Sequence, residues 1–243
     1  MSIKRKILNL GITTALAVGV ILAGITTSRR AANPVCSAIT IAIKDSAERQ
    51  YVTPDELQLQ LTQAGLWFIG EQLSKISCHR IEQNLLTHPM LRQAECYKLA
   101  KGELRIVVRQ RQPIVLVVGD EQYYIDADRR VMPIRASVNT PVVVVSGRIG
   151  KQQALGEMYD FVLWLRRNNF WRDNIHDIRV VNPKMIELKD SEHNYTIVVG
   201  QLDGAIQRLG ELQTLYEDGF EHIGFPQYKQ IDLQYKNQII GRK

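Results

Sequence analysis

The sequence is poor in the residues that most chemistry requires. Its 243 residues include three cysteines and five histidines. The cysteines form no CxxC and show no zinc-ligand spacing. The histidines, at 79, 88, 176, 193 and 222, include no HExxH pair to grip a metal. No GxSxG elbow and no phosphate-cradling glycine loop is present. Low-complexity tracts are missing, and 45% hydrophobic against 23% charged residues excludes collagen-like, disordered and coiled-coil classes. A basic excess is missing from the body of the chain as well. The formal charge is +6, but residues 1–30 carry Lys4, Arg5, Lys6, Arg29 and Arg30 and no acid. Without those five, 26 basic residues face 25 acidic ones, and a net charge of +1 offers no excess to hold nucleic acid. An odd number of cysteines cannot all pair within one chain. Cys36, Cys78 and Cys96 read either as buried thiols acting as small apolar residues or as a Cys78–Cys96 bridge with one thiol left over.

Long apolar runs are limited to one. Residues 7–27 form an uncharged stretch of 21 residues. As a helix it spans roughly 30 Å, the hydrocarbon thickness of a bilayer. A cleaved signal peptide would have a shorter apolar core and a small-x-small site; here Arg29-Arg30 follows without one. The reading is a single transmembrane helix. Residues 1–6 form a short cytoplasmic head, because Lys4, Arg5, Lys6 and the amino terminus outweigh Arg29 and Arg30. Everything beyond residue 28 is then one ectodomain.

Residues 38–43, AITIAI, alternate as a strand does. Thr53-Pro54-Asp55-Glu56 is a helix start, with Thr53 as N-cap, Pro54 in the first turn and Glu56 able to close a capping box. Leu57, Leu61 and Ala64 line one face and Gly65 ends it. A second helix follows Ser77, with Ile81 and Leu85 on one face, and stops at His88-Pro89. Residues 94–99 and 104–109 then form a hairpin around Ala100-Lys101-Gly102-Glu103. Strand–helix–helix–strand–strand over residues 36–112 is an α+β unit. Residues 113–243 read as a β-rich domain with strands at 114–118, 122–125, 141–146, 178–181, 185–189, 195–199 and 230–235. Helices near 152–169 and 203–218 pack on that sheet.

Candidate chemistry is thin. Ser191-Glu192-His193 imitates a triad but sits between two apolar strands, as a hairpin turn does. Cys78-His79 at a helix start is a poor thiolate pair. Asp126 and Asp128 could hold calcium, but they read better as a charged hairpin tip. The arginines and glutamines of residues 107–113 could meet an anion or simply be the solvated face of a strand. Trp67, Trp164 and Trp171 read as core or domain-contact residues. No enzyme, metal, cofactor, small-molecule substrate or nucleic acid is expected.

The order of these segments resembles the bacterial cell-division family FtsQ/DivIB, and residues 36–112 are similar to a POTRA domain. The matching passages are Ile81-Glu82-Gln83-Asn84-Leu85 through His88-Pro89-Met90-Leu91 to Ala94-Glu95, and Gly102-Glu103-Leu104-Arg105-Ile106 leading to Gln110-Arg111-Gln112-Pro113-Ile114. Tyr124-Ile125-Asp126 with Val131-Met132-Pro133 and the terminal run Tyr228 to Tyr235 complete the set. Arg129-Arg130 stands where a glycine is usual, Gln234 where an arginine is common, and residues 66–75 are longer than in many members. The resemblance implies a non-enzymatic scaffold of the divisome, single-pass in the cell inner membrane, with its ectodomain in the periplasm at the division septum. It would bridge early and late division proteins. FtsB/FtsL-like partners are implied, with FtsW/FtsI-like ones beyond them. The implied partner site is the last strand, Gln230, Ile231, Asp232, Leu233, Gln234, Tyr235 and Lys236. Read as an edge strand with Ile231, Leu233 and Tyr235 on one face and Asp232, Gln234 and Lys236 on the other, it could accept a β-strand, with Tyr235 the leading contact residue. Two rival readings are a POTRA-bearing adaptor of secretion or outer-membrane assembly and an anchored envelope hydrolase. The first would usually carry tandem POTRA units or a barrel, and the second lacks a nucleophile.

Overall fold

The computed structural model describes residues 34–138, 140–235 and 238–243. The expected head, the spanning segment at 7–27 and Lys236 lie outside the described residues. Among the described residues no helix is long and apolar enough to cross a membrane. The chain divides into two compact units. One comprises residues up to Lys44 with Thr53–Arg109; the other comprises Asp45–Val52 with Gln110–Lys243.

The first unit has the expected element order: β1 (Ala38–Ile43), α1 (Pro54–Gln63), α2 (Cys78–Leu86), β2 (Leu91–Lys98) and β3 (Glu103–Gln110). The strands lie in the order β1-β3-β2, with β1 parallel to β3. Both helices start where their caps dictate. The Glu56 N–H donates to Thr53 Oγ1 at 3.2 Å, and the Arg80 N–H donates to Ser77 Oγ at 3.4 Å. α1 ends in a Schellman pair, Gly65 N–H to the Thr62 carbonyl and Leu66 N–H to the Leu61 carbonyl, with Gly65 at φ +66°. Leu57 and Leu61 of α1, Ile81 and Leu85 of α2, and Leu104, Ile106 and Val108 of β3 are fully buried. Gly102 turns the hairpin at φ +84°, where a Cβ would lie 2.3 Å from the Val35 carbonyl oxygen. Only glycine fits there.

The second unit is a nine-stranded sheet built from β4 (Pro113–Val118), β5 (Gln122–Asp126), β6 (Val131–Met132), β7 (Val143–Gly147), β8 (Ile175–Asn182), β9 (Met185–Asp190), β10 (Thr196–Gly200), β11 (Gln230–Asp232) and β12 (Ile240–Arg242). Its order is β12-β11-β10-β9-β8-β7-β4-β5-β6. The pairs β4/β7, β7/β8 and β10/β11 are parallel. Parallel neighbours need a crossover, and helical runs supply two of them. Between β7 and β8 the run is α3 (Lys151–Gln153), a widened π-type stretch (Ala154–Met158) and α4 (Tyr159–Arg167). Between β10 and β11 it is α5 (Ala205–Thr214), a second widened stretch (Leu215–Phe220) and α6 (Glu221–Ile223). Each expected helix is therefore interrupted; the first departs from helical geometry at Gly156, where ψ is −116°.

Helices and sheet share one apolar core. Met158, Phe161, Val162 and Leu165 join Leu209, Leu212 and Tyr216 over Val115, Val145, Ile178, Leu188, Ile197 and Ile231. The opposite face carries Asp177 across from Lys189 and Arg179 across from Glu187, opposite charges at paired positions.

Gln110 and Arg111 are 3% and 8% exposed, so the solvated-face reading fails for them and holds for Arg109 and Gln112, which are exposed. Gln110 Oε1 accepts the Tyr51 N–H at 2.7 Å and the Val52 N–H at 3.1 Å, and its amide donates to the Arg49 carbonyl. Arg111 pairs with Asp126 at 2.6 Å. One glutamine thus fastens the segment Asp45–Val52 into the second unit, and the arginine beside it fastens the β4–β5 hairpin.

Candidate partner-binding edge

The strand expected over residues 230–235 is halved. Ladder pairing stops at Asp232, and Ile231, Asp232 and Leu233 are all buried, at 1%, 2% and 2% exposure. Strict alternation would have placed Asp232 outward. The cause is local: Asp232 Oδ1 accepts the Gln234 N–H at 3.1 Å, an Asx-type turn that lifts the chain out of the sheet. Leu233 keeps one last bond, its N–H to the Val198 carbonyl at 2.9 Å. Next to it β10 ends at Gly200, φ +82°, with the Gln234 side chain over it. Tyr235 lies in the bend beyond and is 51% exposed.

The edge-strand reading of β11 is also overturned. β11 runs parallel to β10 on one side, pairing Thr196 with Gln230 and Val198 with Asp232. On the other side it is antiparallel to β12, pairing Gln230 with Arg242, Ile231 with Gly241 and Asp232 with Ile240. Both of its ladders are taken by its own neighbours. Among the described residues the sheet ends at β12, a strand absent from the sequence reading.

Beyond its ladder with β11, β12 is held by side-chain and backbone contacts. Arg242 Nη2 meets Asp232 Oδ2 at 3.0 Å. The Lys229 N–H donates to the Arg242 carbonyl at 2.8 Å. The Tyr228 ring lies over Gly241 so closely that a Cβ there would stand 2.5 Å from ring carbons. The segment that delivers β11 is pinned in turn. The His193 ring stacks on Phe225 at 3.9 Å between centroids, the Tyr195 hydroxyl donates to the Pro226 carbonyl, and the Thr196 N–H donates to the Lys229 carbonyl at 2.9 Å. Beneath lies Asp190, which accepts the Tyr216 hydroxyl at 3.0 Å and the backbone N–H groups of Glu192 and His193. Burial, then the Asp190 charge, pushes the Tyr216 phenol well above its usual range.

Gln230, Ile231, Asp232, Leu233, Gln234 and Tyr235 thus fall on one rim, but only Gln234 and Tyr235 present exposed side chains. Sequence reasoning missed Tyr228, Gly241 and Arg242. The signal available was the opposite charge of Asp232 and Arg242, ten residues apart at the chain's end. The other candidates resolve into structure. Ser191-Glu192-His193 is a hairpin turn whose imidazole faces Asp190 at 3.1 Å. Asp126 is 1% exposed, with its oxygens on Arg111 and on the N–H groups of Asp128 and Arg130. Among the described residues no three potential metal ligands cluster. Trp171 is fully buried in the aromatic core, and the cysteines are free thiols.

Residues 34–109 match the POTRA-like domain model, and residues 112–242, more than half of the chain, match the model described as FtsQ/DivIB, C-terminal related. No curated protein matches the chain. A POTRA-like unit followed by a β-domain of this kind defines a class of bacterial cell-division proteins. The chain belongs to the FtsQ/DivIB family. That family is one of non-enzymatic, membrane-associated division proteins.

Proposed function

We propose that the protein is a scaffold of the divisome that links early and late division components through its two extracytoplasmic units. Residues 7–27 anchor it in the inner membrane at the septum, with residues 1–6 in the cytoplasm. FtsB/FtsL-like partners add a strand to the β-domain, and FtsW/FtsI-like proteins follow through them. The observation that carries this reading is the terminal position of β12 in the nine-strand order. A terminal strand presents backbone N–H and C=O groups on its outer side, and an incoming extended segment satisfies them. Backbone pairing along Ile240–Arg242 supplies affinity. Tyr235 and Gln234, exposed on the same rim, supply selectivity, with Lys236 beside them in sequence. Gln230, Ile231, Asp232 and Leu233 act as the platform that holds β12 in place.

Truncation of the chain after Tyr235 tests this directly. It removes β12 and bares the β11 ladder. Loss of FtsB-like binding in a pull-down, with the remaining domain folded by circular dichroism, supports docking on β12. Unchanged or tighter binding moves the site to β11 and refutes the β12 assignment. A fluorescent fusion is expected at midcell, and depletion is expected to give filaments; uniform envelope fluorescence with normal septation would remove the scaffold reading.

A further inference from the structure

Cys78 opens α2 at its first helical position and is half-buried, while Cys96 lies in β2 and is 8% exposed. One hydrogen bond sets their two elements against each other. Glu82, one turn after Cys78 on the same helix face, accepts the Cys96 backbone N–H at 2.8 Å. Burial raises the Cys96 thiol above its ordinary range, and the Cys78 side chain adds to that rise, as a near neighbour does. Cys36, the third thiol, is spoken for elsewhere: it is 1% exposed, and its Sγ faces the Ala38 carbonyl at 3.6 Å.

We propose that Cys78 and Cys96 are a redox-controlled staple, closing to a disulfide that ties the first turn of α2 to β2. The oxidant is a disulfide-bonded dithiol, of the thiol–disulfide exchange class. The Cys78 thiolate is the entry point, since Cys96 is the more deeply buried of the two. It attacks one sulfur of the oxidant, forming a mixed disulfide and expelling the other sulfur as a thiolate. Cys96 then gives up its proton and attacks Cys78 Sγ, which releases the second oxidant thiolate. Two thiols become one disulfide, the oxidant's disulfide becomes a dithiol, and the two protons leave with it. Burial and the neighbouring Cys78 raise the Cys96 thiol above its ordinary range, so the closing step is the slower one. An oxidising compartment keeps such a bond, and a reducing one opens it.

The test uses the purified full chain in detergent, incubated with oxidised glutathione or with a reducing agent. After oxidation, maleimide labelling is expected to fall from three reactive thiols to one under denaturing conditions. Peptide mapping without reductant is expected to find the Cys78 and Cys96 peptides joined, lighter by two hydrogens. The loop closed is short, so the first unit's thermal midpoint is expected to rise by roughly 12–24 °C on oxidation. Cys78→Ser is expected to abolish that response and leave Cys96 reduced. Three free thiols after oxidation, a stable glutathione adduct at Cys78 that never resolves, or a bond involving Cys36 or a second chain would each overturn the proposal. Mapping of the unaltered chain decides the matter even if a variant fails to fold.

Discussion

Arg242→Ala probes the C-terminal rim most sharply. The Asp232 carboxylate is 3% exposed, while the guanidinium that meets it at 3.0 Å is 54% exposed. A half-exposed arginine is screened, so the attraction itself contributes about 1 kcal/mol or less. The larger effect is on the carboxylate, which stays buried and loses one of its donors, at roughly 1–3 kcal/mol. Together these give a loss of about 2 kcal/mol. In a domain of this size that lowers the midpoint by roughly 4–8 °C and speeds exchange of the β12 amides by about 30-fold, at a tenfold change per 1.4 kcal/mol. Hydrogen exchange read at Ile240, Gly241 and position 242 is the assay. Salt supplies the control. A purely coulombic surface pair fades at 1 M, where the screening length is about 3 Å, whereas a buried carboxylate short of a donor stays short of it. Exchange unchanged within twofold, or a difference that vanishes in high salt, would refute the reasoning.

Three further outcomes are expected. Arg111→Met leaves the Asp126 carboxylate buried without its cation and should cost about 3–5 kcal/mol by urea unfolding, while Arg111→Met with Asp126→Asn should recover a good part of that; equal losses in both would sink the account. Tyr216 is protonated more firmly folded than unfolded, so its contribution is complete below about pH 10, the unfolded value, and drains away as the pH climbs beyond it. Phenolate absorbance followed through alkaline unfolding should show a fraction that appears only as the domain unfolds. Tyrosines that all titrate together near pH 10 in the folded protein would contradict this. Gly102→Ala forces a side chain into φ +84° against the Val35 carbonyl and should destabilise the first unit by about 2 kcal/mol or more; a midpoint shift of under one degree would show that the hairpin relaxes freely.

What the sequence made legible follows from where local chemistry is decisive. Thr53-Pro54, Ser77 and Gly65 mark helix ends because caps satisfy backbone groups within a few residues. Leu104, Ile106 and Val108 mark a strand because one of its faces is buried. Legibility failed wherever a polar side chain overrides periodicity. Asp232 occupies an outward position in the 230–235 pattern, but it is a turn-former first, and its carboxylate both ends β11 and receives Arg242. Gln110 and Arg111 look like surface residues by type; their burial depends on partners 59 and 15 positions away, Tyr51 and Asp126. β12 is three residues long with a glycine at its centre, below the length at which alternation carries a signal. The edge proposed for docking was therefore the part of the fold least visible beforehand, and it displaced a strand that looked suitable.

That displacement changes what a partner must do. On β11 an incoming segment would have to evict β12, breaking its ladder, the Asp232–Arg242 pair and the close packing of Tyr228 on Gly241. On β12 no described strand is evicted, and the segment extends the order by one strand. The two routes differ in their response to Gly241→Val. The side chain cannot enter beneath the Tyr228 ring without moving it, so β12 should loosen. Docking on β12 should weaken as its template frays, by about tenfold for each 1.4 kcal/mol of lost order. Docking on β11 should strengthen by the same reasoning, because the competitor is weakened. The sign of one affinity change, measured by calorimetry with an FtsB-like peptide, thus separates extension from replacement, and a strengthened complex would refute extension.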